Sequence, residues 1–193
     1  MSEPLVKVKI TTRYGAGSFQ GRTARFQIFV KGYMGAAKES MRKMAEEFRM
    51  ALVLNIVTQR FSGTFDPLSP AWKKWKAKHG ASPNFWVAYG DLHRAISVRE
   101  TKKGYSVGAE LNVFPSKSTS FDNKRTEKTA IWKYLFYNEF GRGPIDNGKF
   151  KVGPQPARPT IAPTRANLGE EFWTQKMRKQ FEKKVAESWM EAF

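Results

Sequence analysis

The sequence predicts an α+β domain: a twisted antiparallel β-sheet packed against one long α-helix, with short helices and a C-terminal helix beside them. Three observations carry this expectation. A segment from Ala36 to about Phe61 has helical periodicity and becomes more apolar along its length. Two N-terminal segments alternate with the period of a strand. Further on, Ile96-Ser97-Val98-Arg99 and Tyr105-Ser106-Val107-Gly108 flank a Lys102-Lys103-Gly104 turn, as in a β-hairpin.

The long helix organises the rest. Met41, Met44, Ala45, Phe48, Ala51 and Leu52 recur at steps of three and four, while Lys38, Glu39, Arg42, Lys43, Glu46, Glu47 and Arg49 fall on the other side. Between Met50 and Gln59 there is no charge, and Leu52, Val53, Leu54, Ile56 and Val57 surround the helix axis. Such a helix should begin at the surface and end enclosed. Its uncharged run is about half of the roughly 20 residues needed to span a bilayer, so a buried segment is expected and not an anchor.

Upstream, Leu5-Val6-Lys7-Val8-Lys9-Ile10-Thr11 and Arg25-Phe26-Gln27-Ile28-Phe29-Val30-Lys31 alternate apolar and polar residues. A glycine-rich connection, Gly15-Ala16-Gly17 and Gly21, lies between them, and Gly32 and Gly35 separate the second strand from the helix. Downstream, Ser69 is placed to cap a short helix with Pro70 at its first position, running to about His79 and closed by Gly80. Trp72 and Trp75, three residues apart, share a face of it among Lys73, Lys74, Lys76 and Lys78. Aromatic rings interleaved with lysines suit a nucleic acid strand; indoles packed inward under solvated lysines account for the same pattern and are preferred.

After the apolar run Phe85–Tyr89, Gly90 breaks the chain, and Leu92 and Ile96, four apart, can anchor the turn before the hairpin. Residues 112–128 are polar, with Lys117, Lys124 and Arg125 among them, and read either as a projecting arm or as an inserted loop. Thr129 to Phe140 returns to a dense apolar helix that Gly141 ends. Four glycines and five prolines between Gly141 and Pro163 predict an extended, irregular crossing. A last helix from Asn167 to Ala192 carries Phe172, Trp173, Met177, Phe181, Val185, Trp189 and Met190 as an apolar stripe. The whole reads as one domain, 1–193, with N-terminal strands over 4–33, a core over 36–165 and a C-terminal helix over 167–192.

Composition narrows the function. With 34 Lys and Arg against 17 Asp and Glu, the chain carries a formal charge of +17, a field that draws in polyanions and acidic protein surfaces alike. The basic residues are scattered, so DNA in proximity and an acidic protein partner are both open. There is no cysteine and only His79 and His93, which excludes disulfides, thiolate metal sites and histidine-rich metal sites; no cofactor is expected. Met1-Ser2-Glu3-Pro4 lacks the build of a secretory signal, which points to synthesis in the cytoplasm. No phosphate loop, paired-histidine metal helix or nucleophile elbow occurs. Asp91-Leu92-His93 offers a carboxylate and an imidazole two apart, a fragment of a hydrolytic or nuclease site, but nothing local supplies a second positioned group or a closed pocket. An Asp and a His flanking a buried Leu92 is the preferred account, and the chain is not expected to be an enzyme.

Several pieces, taken in order, resemble the virion-morphogenesis and tail-completion (neck) proteins of tailed phages. They are Arg60-Phe61; Asp66-Pro67-Leu68-Ser69-Pro70 with Lys76 to Gly80 behind it; Tyr89-Gly90-Asp91-Leu92-His93-Arg94-Ala95-Ile96; Gly104-Tyr105-Ser106-Val107-Gly108; Tyr137-Asn138-Glu139-Phe140-Gly141; and Pro156-Ala157-Arg158-Pro159. Tyr89 and Ala95 stand where that pattern has Thr and Ser. The likeness spans about residues 36 to 165, and the order of the motifs says more than any one of them.

The resemblance implies a structural virion protein at the head–tail junction, made in the host cytoplasm. Copies would form a ring, six-fold by expectation, between the portal or head-completion (adaptor) protein and the tail terminator, tube or sheath proteins, with genomic DNA in the channel and no membrane. On this reading Lys73, Lys74, Lys76, Lys78, Lys117, Lys124 and Arg125 would contact partners or DNA. Trp72, Trp75, Trp173, Phe181 and Trp189 would be buried between subunits. Within the subunit, Glu139 at the end of the aromatic helix is a candidate partner for Arg158, whose fork would hold a carboxylate bidentately and pin the proline-rich crossing. The other reading of the same charge is a basic nucleic-acid-binding protein of unrelated role.

Overall fold

A computed structural model describes residues 19–86, 90–114, 130–146 and 151–192. Helix α1 (Phe19–Val57) is followed by a 3-10 turn (Ser62–Thr64), α2 (Pro70–Lys78), α3 (Asp91–Ala95), strands β1 (Ile96–Thr101) and β2 (Gly104–Ala109), and α4 (Ile131–Phe140). Then come the two-residue strands β3 (Ile145–Asp146) and β4 (Lys151–Val152), α5 (Ile161–Glu171), a π turn (Phe172–Lys176) and α6 (Met177–Ala192). The architecture is α+β, a long helix with a small two-stranded antiparallel sheet against it.

The core forms where the second half of α1 meets β1, β2, α3 and α4. Leu52 and Ile56 are fully enclosed, with Trp86, Leu92, Ala95, Ile96, Ala109, Ile131 and Leu135 around them. Leu92 and Ile96 are both buried, as their spacing predicts. The hairpin pairs Ile96 with Ala109 through Thr101 with Gly104, so a two-residue Lys102-Lys103 turn closes it. Buried Asn55 donates from Nδ2 to Thr164 Oγ1 at 2.9 Å and ties α1 to α5. Ser69 Oγ accepts from Trp72 N at 3.3 Å with Pro70 at the first helical position, so α2 starts as the capping pattern predicts.

Four sequence expectations need correction. The segment 25–31 is not a strand: α1 starts at Phe19 and runs for 39 residues, about 58 Å at ~1.5 Å per residue. Its alternation was misleading because Phe29 and Tyr33 also lie one helical turn apart, and α6 gives that helical face an apolar partner. Phe29 meets Trp189 edge-on at 5.1 Å, and Tyr33 meets Phe181 at 4.9 Å. Such packing outweighs the roughly 1 kcal/mol that each of Gly32 and Gly35 loses inside a helix relative to alanine. The strand expected at Leu5–Thr11, Gly15-Ala16-Gly17 of the glycine-rich connection and residues 115–128 of the polar segment lie outside the described residues, while Gly21 falls inside α1.

The end of α1 is not enclosed on every side either. Leu52, Asn55 and Ile56 are buried, but Met50, Leu54 and Val57, at steps of four and three, face outward, with Leu54 59% exposed. The proline-rich crossing is no irregular strap: Arg142 bridges Gln155 and Ile145 pairs with Val152, so it folds into a narrow antiparallel hairpin. Finally, the helical stretch beyond Pro159 starts at Ile161 and breaks at Gly169 (φ 70°, ψ 169°), so one uninterrupted helix from Asn167 is ruled out. Beyond that break α6 lies antiparallel to α1, with Lys176 on Glu47 at 2.5 Å and Lys184 near Glu39 at 3.7 Å.

Candidate assembly surface

Two motifs of the sequence, Glu139-Phe140-Gly141 and Pro156-Ala157-Arg158-Pro159, meet in one clasp. The last turn of α4 presents the Glu139 carboxylate to the start of α5. Oε2 accepts from Thr160 N (2.8 Å) and Ile161 N (3.0 Å), and Oε1 accepts from Ala162 N (2.9 Å). A helix N-terminus has unpaired N–H groups and a partial positive charge, so one carboxylate satisfies three donors and the dipole together. Asn138 O accepts from Arg158 N at 2.6 Å, and Asn138 Oδ1 accepts from Gln155 Nε2 at 3.0 Å.

The expected Glu139–Arg158 ion pair does not form. Arg158 turns the other way: Nη2 donates to Asp66 O at 3.3 Å, and the guanidinium lies 5.1 Å from the centre of the Phe85 ring. Its own carbonyl accepts from Trp86 Nε1 at 3.0 Å. The crossing is pinned at this place by Glu139 gripping backbone, and Arg158 joins it to the segment before α2.

Lys76 was expected at the surface. It is 2% exposed, with Nζ donating to Asn84 O, because α2 turns that side toward the 82–86 segment. Burial, with the nearby Arg158 charge adding to it, pushes the Lys76 ammonium down to about 8. Lys76 therefore cannot serve as the partner or DNA contact assigned to it. The sign of its effect on stability follows. Between pH 8 and its ordinary 10.5 the unfolded chain binds a proton that the folded one has lost, so stability rises with pH across that window. Below pH 8 the penalty of burying the charge is present in full. Relative to wild type, Lys76→Met is expected to lose an advantage on the order of 2 kcal/mol between pH 7.5 and pH 10.5. Urea titrations of both proteins at the two pH values check this; a constant difference would contradict it.

The α2 face that does reach solvent carries Lys73, Lys74 and Lys78. Beneath them the rings stack: Trp72 on Trp75 at 4.6 Å and 6°, and Trp75 on His79 at 4.4 Å and 21°. His79 Nδ1 donates to Trp75 O at 2.8 Å, which holds the imidazole in place. Trp75 is 7% exposed and belongs to the interior of its own chain, so it cannot be an inter-subunit contact. Trp72 is half-buried. Trp173 packs on Phe48 at 5.6 Å and Phe181 on Tyr33, both within the chain and both partly exposed, while Trp189 keeps about half its surface open. Lys117, Lys124 and Arg125 lie outside the described residues.

Other apolar side chains, which the sequence reading did not single out, are uncovered. Phe136 and Phe140, one turn apart on α4 with rings 4.9 Å apart, both face outward, as do Leu111 and Phe114 after the hairpin. The signal that could have found them is the step of four in α4, where Ile131 and Leu135 occupy the buried side and leave the aromatics to the other. Asp91 lies 3.4 Å from Arg94 in its own short helix, and His93 Nδ1 is buried. Among the described residues no group of three His, Cys, Asp or Glu is placed to hold a metal ion, and no helix is long and apolar enough to cross a membrane.

Comparison with protein-family models, with curated proteins and with solved structures finds no match to this chain.

Proposed function

We propose that the protein is a structural component of the head–tail junction of a tailed phage, whose copies close into a ring between the portal side and the tail. The observation that carries this reading is uncovered apolar surface on several sides of one small chain: Met50, Leu54 and Val57 on α1, Phe136 and Phe140 on α4, and Trp189 and Met190 on α6. Single exposed apolar residues are ordinary, but rows of them at helical spacing mark places where another surface sits. A ring needs two different faces on each copy, joined head-to-tail and closed by rotation. The order of motifs from Arg60 to Pro159 supports the same reading, and so does the +17 charge, which suits acidic neighbouring rings or DNA in a channel.

Sedimentation velocity and native mass measurement of the purified protein, alone and with portal and tail proteins, test it. A closed oligomer, six-fold by expectation, is the predicted result, and Leu54→Asp is expected to return it to monomer without unfolding it. Monomer under every condition would overturn the reading.

The exposed Lys73, Lys74 and Lys78 and the +17 charge favour a second reading, a basic nucleic-acid-binding protein held by its phosphate contacts. DNA affinity measured across a salt series separates the two. Tight binding by monomer that falls steeply with salt belongs to the second reading.

A further inference from the structure

We propose that the alternating segment Leu5–Thr11 of one copy adds as a third strand to the free edge of β1 in a neighbouring copy. The inference deepens the ring reading and rests on it, because it names the element that passes between copies.

The register of the hairpin places the acceptor edge. Thr101 and Gly104 flank a two-residue turn and so form a hydrogen-bonded pair, and Arg99 with Ser106 and Ser97 with Gly108 follow at steps of two. Between them Val98 and Glu100 direct their N–H and C=O groups away from β2. Among the described residues this sheet has only two strands, and no backbone group outside it bonds to Val98 or Glu100. β2 is the better covered strand, lying against both α1 and α4, whereas β1 packs mainly on α1 and on the short α3 that leads into it. An uncovered edge of this kind takes up an extended chain through main-chain hydrogen bonds.

The donor segment has the matching pattern. Ile96 is buried and Val98, two residues on, shares its side of the sheet, while Arg99 and Thr101 on the other side are exposed. Val6, Val8 and Ile10 extend the first set, and Lys7, Lys9 and Thr11 extend the second. One register therefore covers the apolar row and keeps both lysines in water.

Chain length decides which copy supplies the strand. The hairpin tip lies beside Lys38 and Met41: Glu100 pairs with Lys38 at 2.8 Å, and the Met41 sulfur is 3.7 Å from where a Cβ on Gly104 would stand. These residues are 19 and 22 positions beyond Phe19, where α1 starts. At ~1.5 Å per residue the start of α1 is then about 29–33 Å from the tip, before the lateral offset between helix and sheet is added. Ile10 is nine positions ahead of Phe19, a reach of about 30–32 Å for a fully extended chain. Within one chain the match needs every link from Ile10 to Phe19 drawn taut, Gly15 and Gly17 included, against the conformational entropy of that stretch. A neighbour asks for none of this, because α1 carries the segment away from its own hairpin.

The chain has no cysteine, so introduced thiols report on this contact alone. Full-length Lys7→Cys is mixed with full-length Arg99→Cys and treated with a bismaleimide spanning about 8 Å, enough for opposed and diagonal cross-strand neighbours. Peptide mass analysis is expected to show residue 7 joined to residue 99 in a covalent dimer. Arg165→Cys, exposed on α5, should give little product with Lys7→Cys. The pair Lys7→Pro with Val8→Pro removes a ladder donor whichever of the two amides faces β1, and should raise the concentration of half-dissociation in sedimentation about tenfold or more. Both positions precede α1, so helix content by circular dichroism should be unchanged, and Lys7→Thr with Val8→Ile should keep the oligomer. Lys7→Cys and Arg99→Cys placed in one chain and closing on each other without a dimer would overturn the proposal. So would an oligomer that forms undiminished with the proline pair, or no crosslink between copies that do assemble; the ring would then stand on its apolar faces alone. A chain that stays monomeric under every condition overturns the ring reading, and this inference with it.

Discussion

Replacing Glu139 with alanine is expected to lower the unfolding free energy by about 3 kcal/mol, while leaving residual α-helix content measurable at low denaturant. The carboxylate holds three consecutive backbone N–H groups at the start of α5. Hydrogen bonds to a charged acceptor contribute about 1.5–3 kcal/mol each when buried and less where water can replace them. The Ala162 contact is exposed and the other two are partly buried, so the sum falls well short of three full bonds. Glu139→Gln keeps one acceptor oxygen but loses the charge, and should fall about midway. Urea denaturation of the three proteins measures both effects. A loss under about 1 kcal/mol for the alanine variant would mean that water caps α5 as well as Glu139 does.

Gly141→Ala is expected to be more damaging, by about 3–5 kcal/mol, because two penalties coincide. At φ 76° and ψ 178° the residue occupies a region that is open to little besides glycine. A Cβ there would also stand 3.0 Å from Gln155 O and 3.1 Å from Ala157 N. Both are backbone atoms of the hairpin that folds back on α4, so neither can swing aside. Gly169 supplies the control within the same chain. Its backbone lies in the same region, at φ 70° and ψ 169°, yet nothing is within 4 Å of its Cβ position. Gly169→Ala should therefore show the conformational strain alone, about 1–3 kcal/mol. Matched denaturation curves isolate the close approach at Gly141; equal losses at the two glycines would show that the clasp yields.

These two residues bear on how much of the site was legible. Glu139, Gly141 and Arg158 were all singled out from their motifs, and the structure does bring the motifs together. Their roles differed because a sequence presents side chains, and the donors that Glu139 satisfies are backbone N–H groups of a helix that the sequence pattern starts only at Asn167, six residues past its true start at Ile161. Arg158 then found a carbonyl and an aromatic face. Lys76 was misplaced for a related reason. On α2 it reads like Lys73, Lys74 and Lys78, and only the return of residues 82–86 over one side of the helix separates it from them.

Elements that depend on neighbours in the chain followed from the sequence itself: the Ser69–Pro70 start of α2, the hairpin closed at Lys102-Lys103, the stop at Gly141, and Leu92 and Ile96 pointing inward. The first three rest on short-range forces, a cap, a turn or a missing Cβ, that act before anything distant arrives; for Leu92 and Ile96 the spacing of four selects the pair, and the core from α1 and α4 covers them. The tertiary structure alone decided that residues 25–31 are helical, that the proline-rich crossing is a hairpin, and that Met50, Leu54 and Val57 stay uncovered. In each case the sequence allows two conformations of similar local free energy, and the choice falls to whichever packed surface lies opposite. For 25–31 that surface is α6, about 150 residues further along the chain, and no local pattern carries its position.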